Sequence, residues 1–243
     1  MTNAHPRSIP DLLEFLRTLN PSSPRLIWYG PGQERIELSG KVLDNWVSKT
    51  SNLLVDELDA EPGFIIDLAL PPHWKTLIWA LASWQVGCAV RTSGGADVEP
   101  GDVLATVAAD AARLESAAGT PVAVALGALD TRWSGTLPSS GLDYAAEVRA
   151  HGDVYFLQGQ GEANDTALVG RGAKITFKEL LPADASEGSV ILLQAGEDQL
   201  DAVLLTALAT WSAQGCVVLV SPDIAVTDRL LVTERISARP DLT

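Results

Sequence analysis

Residues with the means to hold a ligand gather at the ends of hydrophobic runs. His73 follows the apolar run Gly63 to Leu70, while Thr92, Ser93 and Gly94 follow the run Gly87 to Arg91. Gly170, Arg171 and Gly172 place a cation between two glycines; Gln194 ends the run Val190 to Gln194, and Asp223 follows Gly215 to Val220. If these runs are parallel strands, the candidates stand on the carboxyl edge of a sheet, where open α/β folds bind their ligands. Small hydroxyl residues and glycine amides suit a phosphate or another anion. Each candidate has a plainer reading beside it: a flexible loop for Thr92 to Gly95, a surface residue at a helix start for His73, and turn glycines for Gly159-Gln160-Gly161 and Gly170-Arg171-Gly172.

Stronger chemical signatures are missing. No GxGxxG or GxxxxGK[ST] string occurs, so neither a dinucleotide fingerprint nor a P-loop is present, and no GxSxG elbow marks a hydrolase nucleophile. His5, His73 and His151 have no ligand spacing to one another or to Cys88 and Cys216, so no metal site is expected. The two cysteines read as small core residues in a reducing cytoplasm rather than as a disulfide. No catalytic residue and no cofactor is assigned.

The elements that would position these residues are announced by a phrase written twice. Ala80-Leu81-Ala82-Ser83-Trp84 leads to Gly87-Cys88, and Ala207-Leu208-Ala209-Thr210-Trp211 leads to Gly215-Cys216. Each copy lies between two strand-like runs, so the repeated object is a βαβ unit. Around these units the pattern predicts a helix at Ser8 to Leu19, a hairpin from Arg25 to Leu38 around Gly30-Pro31-Gly32, and a helix from Ser39 to Leu58. Further on it predicts a strand at Asp102 to Val107, a helix at Ala109 to Ala118 and a strand at Pro121 to Leu126. Beyond these come a helix at Leu142 to Ala150, a weak strand at Val154 to Leu157, a second hairpin around Gly170, and a closing strand at Leu230 to Ile236. The aperiodic stretch Asp130 to Ser140 suggests a boundary between a first α/β subdomain, 1–135, and a second, 136–243. Trp84 and Trp211 should pack equivalently between helix and sheet, and Trp74 and Trp133 read as core or interface residues, with the lining of an acyl or aromatic pocket as the other reading.

Composition narrows the function. The 243 residues carry a formal charge of -14 and 47% hydrophobic residues, which fits a folded, acidic protein. Nucleic acid and anionic membranes are poor partners for such a chain, because both are bound through clustered Lys and Arg. The longest uncharged apolar-rich stretch, Thr76 to Val90, is shorter than the ~18 residues of a membrane span. Met1 to Pro10 has no apolar core for a secretory signal.

The stretch Gly30 to Val90 resembles the N-terminal part of the adenylate-forming superfamily, the AMP-binding acyl-CoA and aryl-CoA synthetases. The likeness rests on the hairpin leading through Ile36-Glu37-Leu38-Ser39 into a long helix, on Glu61-Pro62-Gly63 before a buried strand, and on Leu81 to Val90 with Trp84 and Gly87. Val190 to Asp223 resembles the second, pseudo-repeated subdomain of the same superfamily. Leu142 to Asp153 is similar to a stretch in a family of short actinobacterial proteins related to these enzymes, a similarity that brings no activity with it. The resemblance implies an α/β fold of two pseudo-repeated subdomains with mainly parallel sheets, like a truncated N-domain.

It also implies chemistry whose parts can be checked. The family's phosphate loop would fall at Asn164 to Gly172, where only Gly170, Arg171 and Gly172 match and Asp165 adds negative charge. The segment after the second core strand reads Gln194-Ala195-Gly196-Glu197-Asp198, again acidic. The magnesium-binding acid, the ribose-binding aspartate and the catalytic lysine find no counterpart before Thr243. The expectation is a non-catalytic descendant that binds a protein or small-molecule partner, with a homodimer possible. The alternative is a nucleotide- or acyl-CoA-binding enzyme or subunit with a remodelled or shared site.

Overall fold

In a computed structural model, the structure describes residues 5–92, 101–107, 119–171, 174–183 and 188–242. The expected helix at Ala109 to Ala118, the loop residues Ser93 and Gly94, and Gly172 lie outside the described residues. Contacts divide the chain into two units: Met1–Asp44, Pro71–Leu77 and Lys178–Thr243 form the first, and Asn45–Leu70 with Ile78–Phe177 form the second. The expected boundary at 135–136 therefore falls inside the second unit. Strands distant in sequence pair with one another, so the units interleave along the chain.

The first unit opens with α1 (Ile9–Thr18), capped by Ser8, whose hydroxyl accepts from the Asp11 amide. Its apolar stripe buries Ile9, Leu12, Leu13 and Leu16. Strands β1 (Pro24–Gly30) and β2 (Glu34–Ser39) form the predicted antiparallel hairpin. Later in the chain come β10 (Val190–Gln194), α5 (Leu200–Ser212), β11 (Cys216–Val220) and α6 (Asp228–Thr233). The sheet order is β10-β11-β1-β2, with β10, β11 and β1 parallel. Its core holds Ile27, Leu192, Cys216, Val218, Val220 and Leu230. Arg25 is 3% exposed, and its guanidinium donates to the carbonyls of Leu19, Gln214 and Gly215. These carbonyls lie just past the ends of α1 and α5, so one buried cation meets the negative ends of two helix dipoles.

Two helices cross from one unit to the other along the chain. They are α2 (Gly40–Leu58), whose Val42 amide donates to Ser39 Oγ, and α3 (Trp74–Val86). A Cβ on Gly40 would stand 2.1 Å from the Leu16 carbonyl oxygen, so only glycine lets the chain pass α1 at this point.

The second unit holds β3 (Ile65–Ala69), β4 (Ala89–Arg91), β5 (Val103–Thr106), β6 (Thr120–Ala123), β7 (Leu142–Asp143), the short α4 (Tyr144–Glu147), β8 (Thr166–Val169) and β9 (Lys174–Thr176). The order is β7-β6-β5-β3-β4-β8-β9, parallel throughout except for the hairpin strand β9. Tyr144, 1% exposed, stacks on Trp79 with ring centroids 5.1 Å apart and bonds through its hydroxyl to Thr50 Oγ1 at 2.8 Å.

Three predicted elements differ. The helix at Leu142 to Ala150 is shorter, because Leu142 and Asp143 pair with β6 and Asp143 then caps α4 by accepting from Ala145 and Ala146. Val154 to Leu157 forms no strand. Leu230 to Ile236 is not a closing strand: Thr227 Oγ1 accepts from the Leu230 amide and starts α6 instead.

Candidate functional site

The sequence-predicted residues divide between the two units. Within the first, Gln194 and Asp223 belong to the carboxyl side of the sheet, and His73 lies against Trp28 of β1. His73 precedes α3 and acts as its cap, with Nδ1 accepting from the Lys75 amide at 3.1 Å. It is not a surface residue: it is 3% exposed and meets Trp28 of β1 edge-on, centroids 4.5 Å apart. Burial, reinforced by the Lys75 charge, pushes its imidazolium pKa down to about 3. Lys75 is itself 5% exposed, with Nζ 5.3 Å from the centre of the Trp74 ring.

Gln194 ends β10, and its amide donates to the carbonyls of Ser221 (3.0 Å) and Ile224 (2.8 Å). The side chain therefore fastens the turn after β11, leaving Asp223 exposed at the tip of that turn.

In the second unit, Thr92 and Gly170 follow β4 and β8, which are parallel neighbours. The Thr92 amide donates to the Val169 carbonyl at 3.1 Å, so the structure does bring these two loops together, with Arg171 exposed beside them. Below this edge lies a pair that sequence reasoning missed. Arg91 donates Nε and Nη2 to the two carboxylate oxygens of Asp67, at 2.5 and 2.6 Å, and Asp67 also accepts from the Gly101 amide. The signal was an aspartate inside an apolar strand, in register with an arginine on the next parallel strand. A forked, partly buried pair of this kind locks strand ends together.

Two cavities border the sheets. One of about 260 Å³ in the second unit, beyond the carboxyl ends of β5 and β6, is lined by Val124, Leu126, Arg132 and Trp133, so Trp133 does line a pocket. One of about 400 Å³ in the first unit lies instead at the amino ends of β1, β10 and β11, bordered by Arg25, Glu37, Cys216 and Glu234. There Glu234 accepts from Tyr29 Oη at 2.5 Å and from Arg35 Nε at 3.0 Å, while Arg35 also holds Glu37 at 2.8 Å. Burial pushes the Glu234 carboxyl up, but Arg35 and Tyr29 outweigh it and hold it below its usual range. Cys216, and Cys88 in the second unit, are buried free thiols pushed up to about 12 by burial. Among the described residues no group of three or more His, Cys, Asp and Glu is placed to hold a metal ion. Nor is any helix among them long and apolar enough to cross a membrane.

The fold that carries these groups is similar to the N-terminal part of acyl-CoA synthetases. An acyl-CoA synthetase from Brucella canis superposes on 98% of this chain with a TM-score of 0.72 at 13% identity. Apo MatB from Rhodopseudomonas palustris covers 96% with a TM-score of 0.69 at 11% identity. The N-terminal domain of FACL13 from Mycobacterium tuberculosis covers 96% at 0.63 and 14%. This chain spans about half the length of the first two, 48% of each. No family model matches the chain. In sequence it is 32% identical over 240 residues to a TIGR03089 family protein from Mycobacterium tuberculosis, covering 93% of this chain and 95% of that protein. The chain belongs to the TIGR03089 family.

Proposed function

We propose that this chain is a non-catalytic relative of the adenylate-forming enzymes that works in the cytoplasm as a module binding another protein. The observation that carries the proposal is the enclosure of its histidine and thiols: His73 is 3% exposed and packed against Trp28, and the free thiols of Cys88 and Cys216 are 0% and 8% exposed. His73 is pushed down to about 3, and the thiols of Cys88 and Cys216 are pushed up to about 12. Each shift moves the group away from neutral pH, where an acid, base or nucleophile must exchange its proton to contribute rate.

The segment matching the family's phosphate loop supports the same reading. Asp165 stands inside that segment and its Oδ2 accepts from the Glu162 amide just before it at 3.0 Å, so a carboxylate is fixed where the resemblance would put phosphate charge. Adenylyl transfer depends on donors and cations placed around phosphate charge, and an inserted carboxylate works against that.

The test is ATP-pyrophosphate exchange by the full chain with a panel of aliphatic and aromatic carboxylic acids. Exchange is expected to stay at background, and neither ATP nor AMP at millimolar concentration should raise the melting temperature. Acid-dependent exchange above background overturns the proposal and returns the chain to the enzymes.

A further inference from the structure

We propose that Val154 to Leu157 is a docking strand that captures an extended, basic peptide segment of another protein by main-chain pairing. This inference rests on the binding-module reading above and names the surface and the partner chemistry. Val154, Phe156 and Leu157 are 61%, 80% and 46% exposed, within four consecutive residues. Among the described residues the other large exposed hydrophobics, Val42, Leu129 and Val232, stand apart in the sequence. A cluster of this kind on a surface carrying so much charge marks a contact site.

The backbone points to the form of the partner. From Val154 to Gln160 the chain is neither helical, turned nor bent. Val154 and Phe156 face outward with the half-buried Tyr155 between them, the alternation of a strand over these three residues, and Leu157 after them is exposed as well. Val-Tyr-Phe-Leu has strong strand propensity, yet among the described residues no strand of its own unit pairs with it. Among the described residues none of the N–H groups of Val154 to Leu157 meets an acceptor, and only the Val154 carbonyl is taken, by Asn52 Nδ2 at 3.1 Å. Such a row of open donors and acceptors is the template for β-augmentation.

The segment is also held ready. Lys49, Asn52 and Asp56 form one stripe of α2. Lys49 Nζ bonds the His151 carbonyl and the Asp153 carboxylate, Asn52 holds the Gly152 and Val154 carbonyls, and Asp56 lies 3.5 Å from His151 Nδ1. Anchoring at one end lowers the ordering cost of binding.

Charge selects the occupant. Asp153 and Asp56 border the segment, with side chains that stay 58% and 59% exposed beside their contacts to Lys49 and His151, and the chain as a whole carries -14. A second copy would bring the same acids back against themselves, whereas a peptide alternating apolar residues with Lys or Arg meets both the apolar face and the carboxylates.

The experiment uses the full chain and a fluorescein-labelled octapeptide alternating Lys and Val, followed by anisotropy. Saturable binding is expected, about tenfold or more weaker for the Glu-Val counterpart, for a Lys-Val peptide N-methylated at alternate amides, and for the F156S variant. Phe156 is largely exposed, so F156S should keep the wild-type melting curve, which is checked in parallel. The proposal is overturned if the Lys-Val peptide does not bind. It is equally overturned if N-methylation or F156S leaves its affinity unchanged, which would mean charge attraction alone. A dimer that F156S converts to monomer would assign the strand to a second copy and also overturn it. Pyrophosphate exchange is read separately, so failure here leaves the non-catalytic reading standing, and exchange activity would not erase peptide capture.

Discussion

Trp84 and Trp211 make the same hydrogen bond in the two units. Trp84 Nε1 on α3 donates to the Ala167 carbonyl of β8 at 2.7 Å, and Trp211 Nε1 on α5 donates to the Arg25 carbonyl of β1 at 2.7 Å. In each case the helix leads into a strand, β4 or β11, and the indole reaches the parallel neighbour of that strand. The duplicated phrase thus encodes a tie between a helix and a strand distant in sequence. Both rings are almost fully buried, 2% and 1% exposed.

Replacing either by phenylalanine strands a buried carbonyl and opens a small void, at a cost of about 2 to 3 kcal/mol. W84F and W211F should therefore lower the urea midpoint by similar amounts. A large loss at one position with less than about 0.5 kcal/mol at the other would show that the two ties are not equivalent.

The turns that follow the tryptophans are also matched, with one chemical difference. Gly87 has φ 96° and Gln214 φ 61°, each three residues after its tryptophan. Gly87 and Cys88 amides return to Trp84 and Ser83 carbonyls, as Gln214 and Gly215 amides return to Trp211 and Thr210. This is the paired closure of a helix ending in a left-handed residue. A Cβ on Gly87 would sit 2.7 Å from the Gly161 amide nitrogen. G87A should lose about 2 to 4 kcal/mol, from left-handed strain plus the clash. Q214G should gain about 0.5 kcal/mol, because relief of strain exceeds the added chain entropy of glycine. Thermal melts of the two variants must move in opposite directions.

The cysteines give a simple chemical check. Thiols pushed up to about 12 and buried carry almost no thiolate at pH 8. A thiol-disulfide reagent should label neither Cys88 nor Cys216 in the native chain and both after urea unfolding. Rapid native labelling of either would remove one support for the non-catalytic reading.

Local patterns carried most of the architecture. The repeat, the apolar strands and the helical stripes of α1 and α2 are periodicities that a parallel sheet imposes on sequence. The failures all involve competition that sequence alone does not weigh. Val154 to Leu157 has the propensity of a strand but no pairing strand among the described residues, and Leu230 to Ile236 has β-branched residues that lose to the Thr227 cap. His73 was open to two assignments because its neighbour Trp28 lies on a strand far away in the chain. Of the candidate site, Thr92 and Gly170 do meet, since adjacent parallel strands end together. Gln194 proved to be a fastener for the 221–224 turn, a role visible only once Ser221 and Ile224 are seen folded over it.

Burial of neutral His73 makes stability depend on acid. Its folded pKa, about 3, lies below the unfolded value of 6.5, so the unfolded chain binds the proton first as pH falls. The stabilising difference is fully present above pH 6.5 and is lost progressively between 6.5 and about 3, with a slope from this one group of up to about 1.4 kcal/mol per pH unit. H73N retains an acceptor for the Lys75 amide and suits the first position before α3, but it does not titrate. Wild type and H73N should therefore show urea midpoints that run parallel from pH 8 to 7 and diverge below 6, with the wild type falling faster. The carboxylate of Glu234, depressed by Arg35 and Tyr29, adds its own loss only below its unfolded value near 4.5, so the window from 6 to 5 isolates the histidine. Identical slopes for the two proteins in that window would mean that His73 is protonated in the fold, and would return it to the set of groups able to act on a ligand.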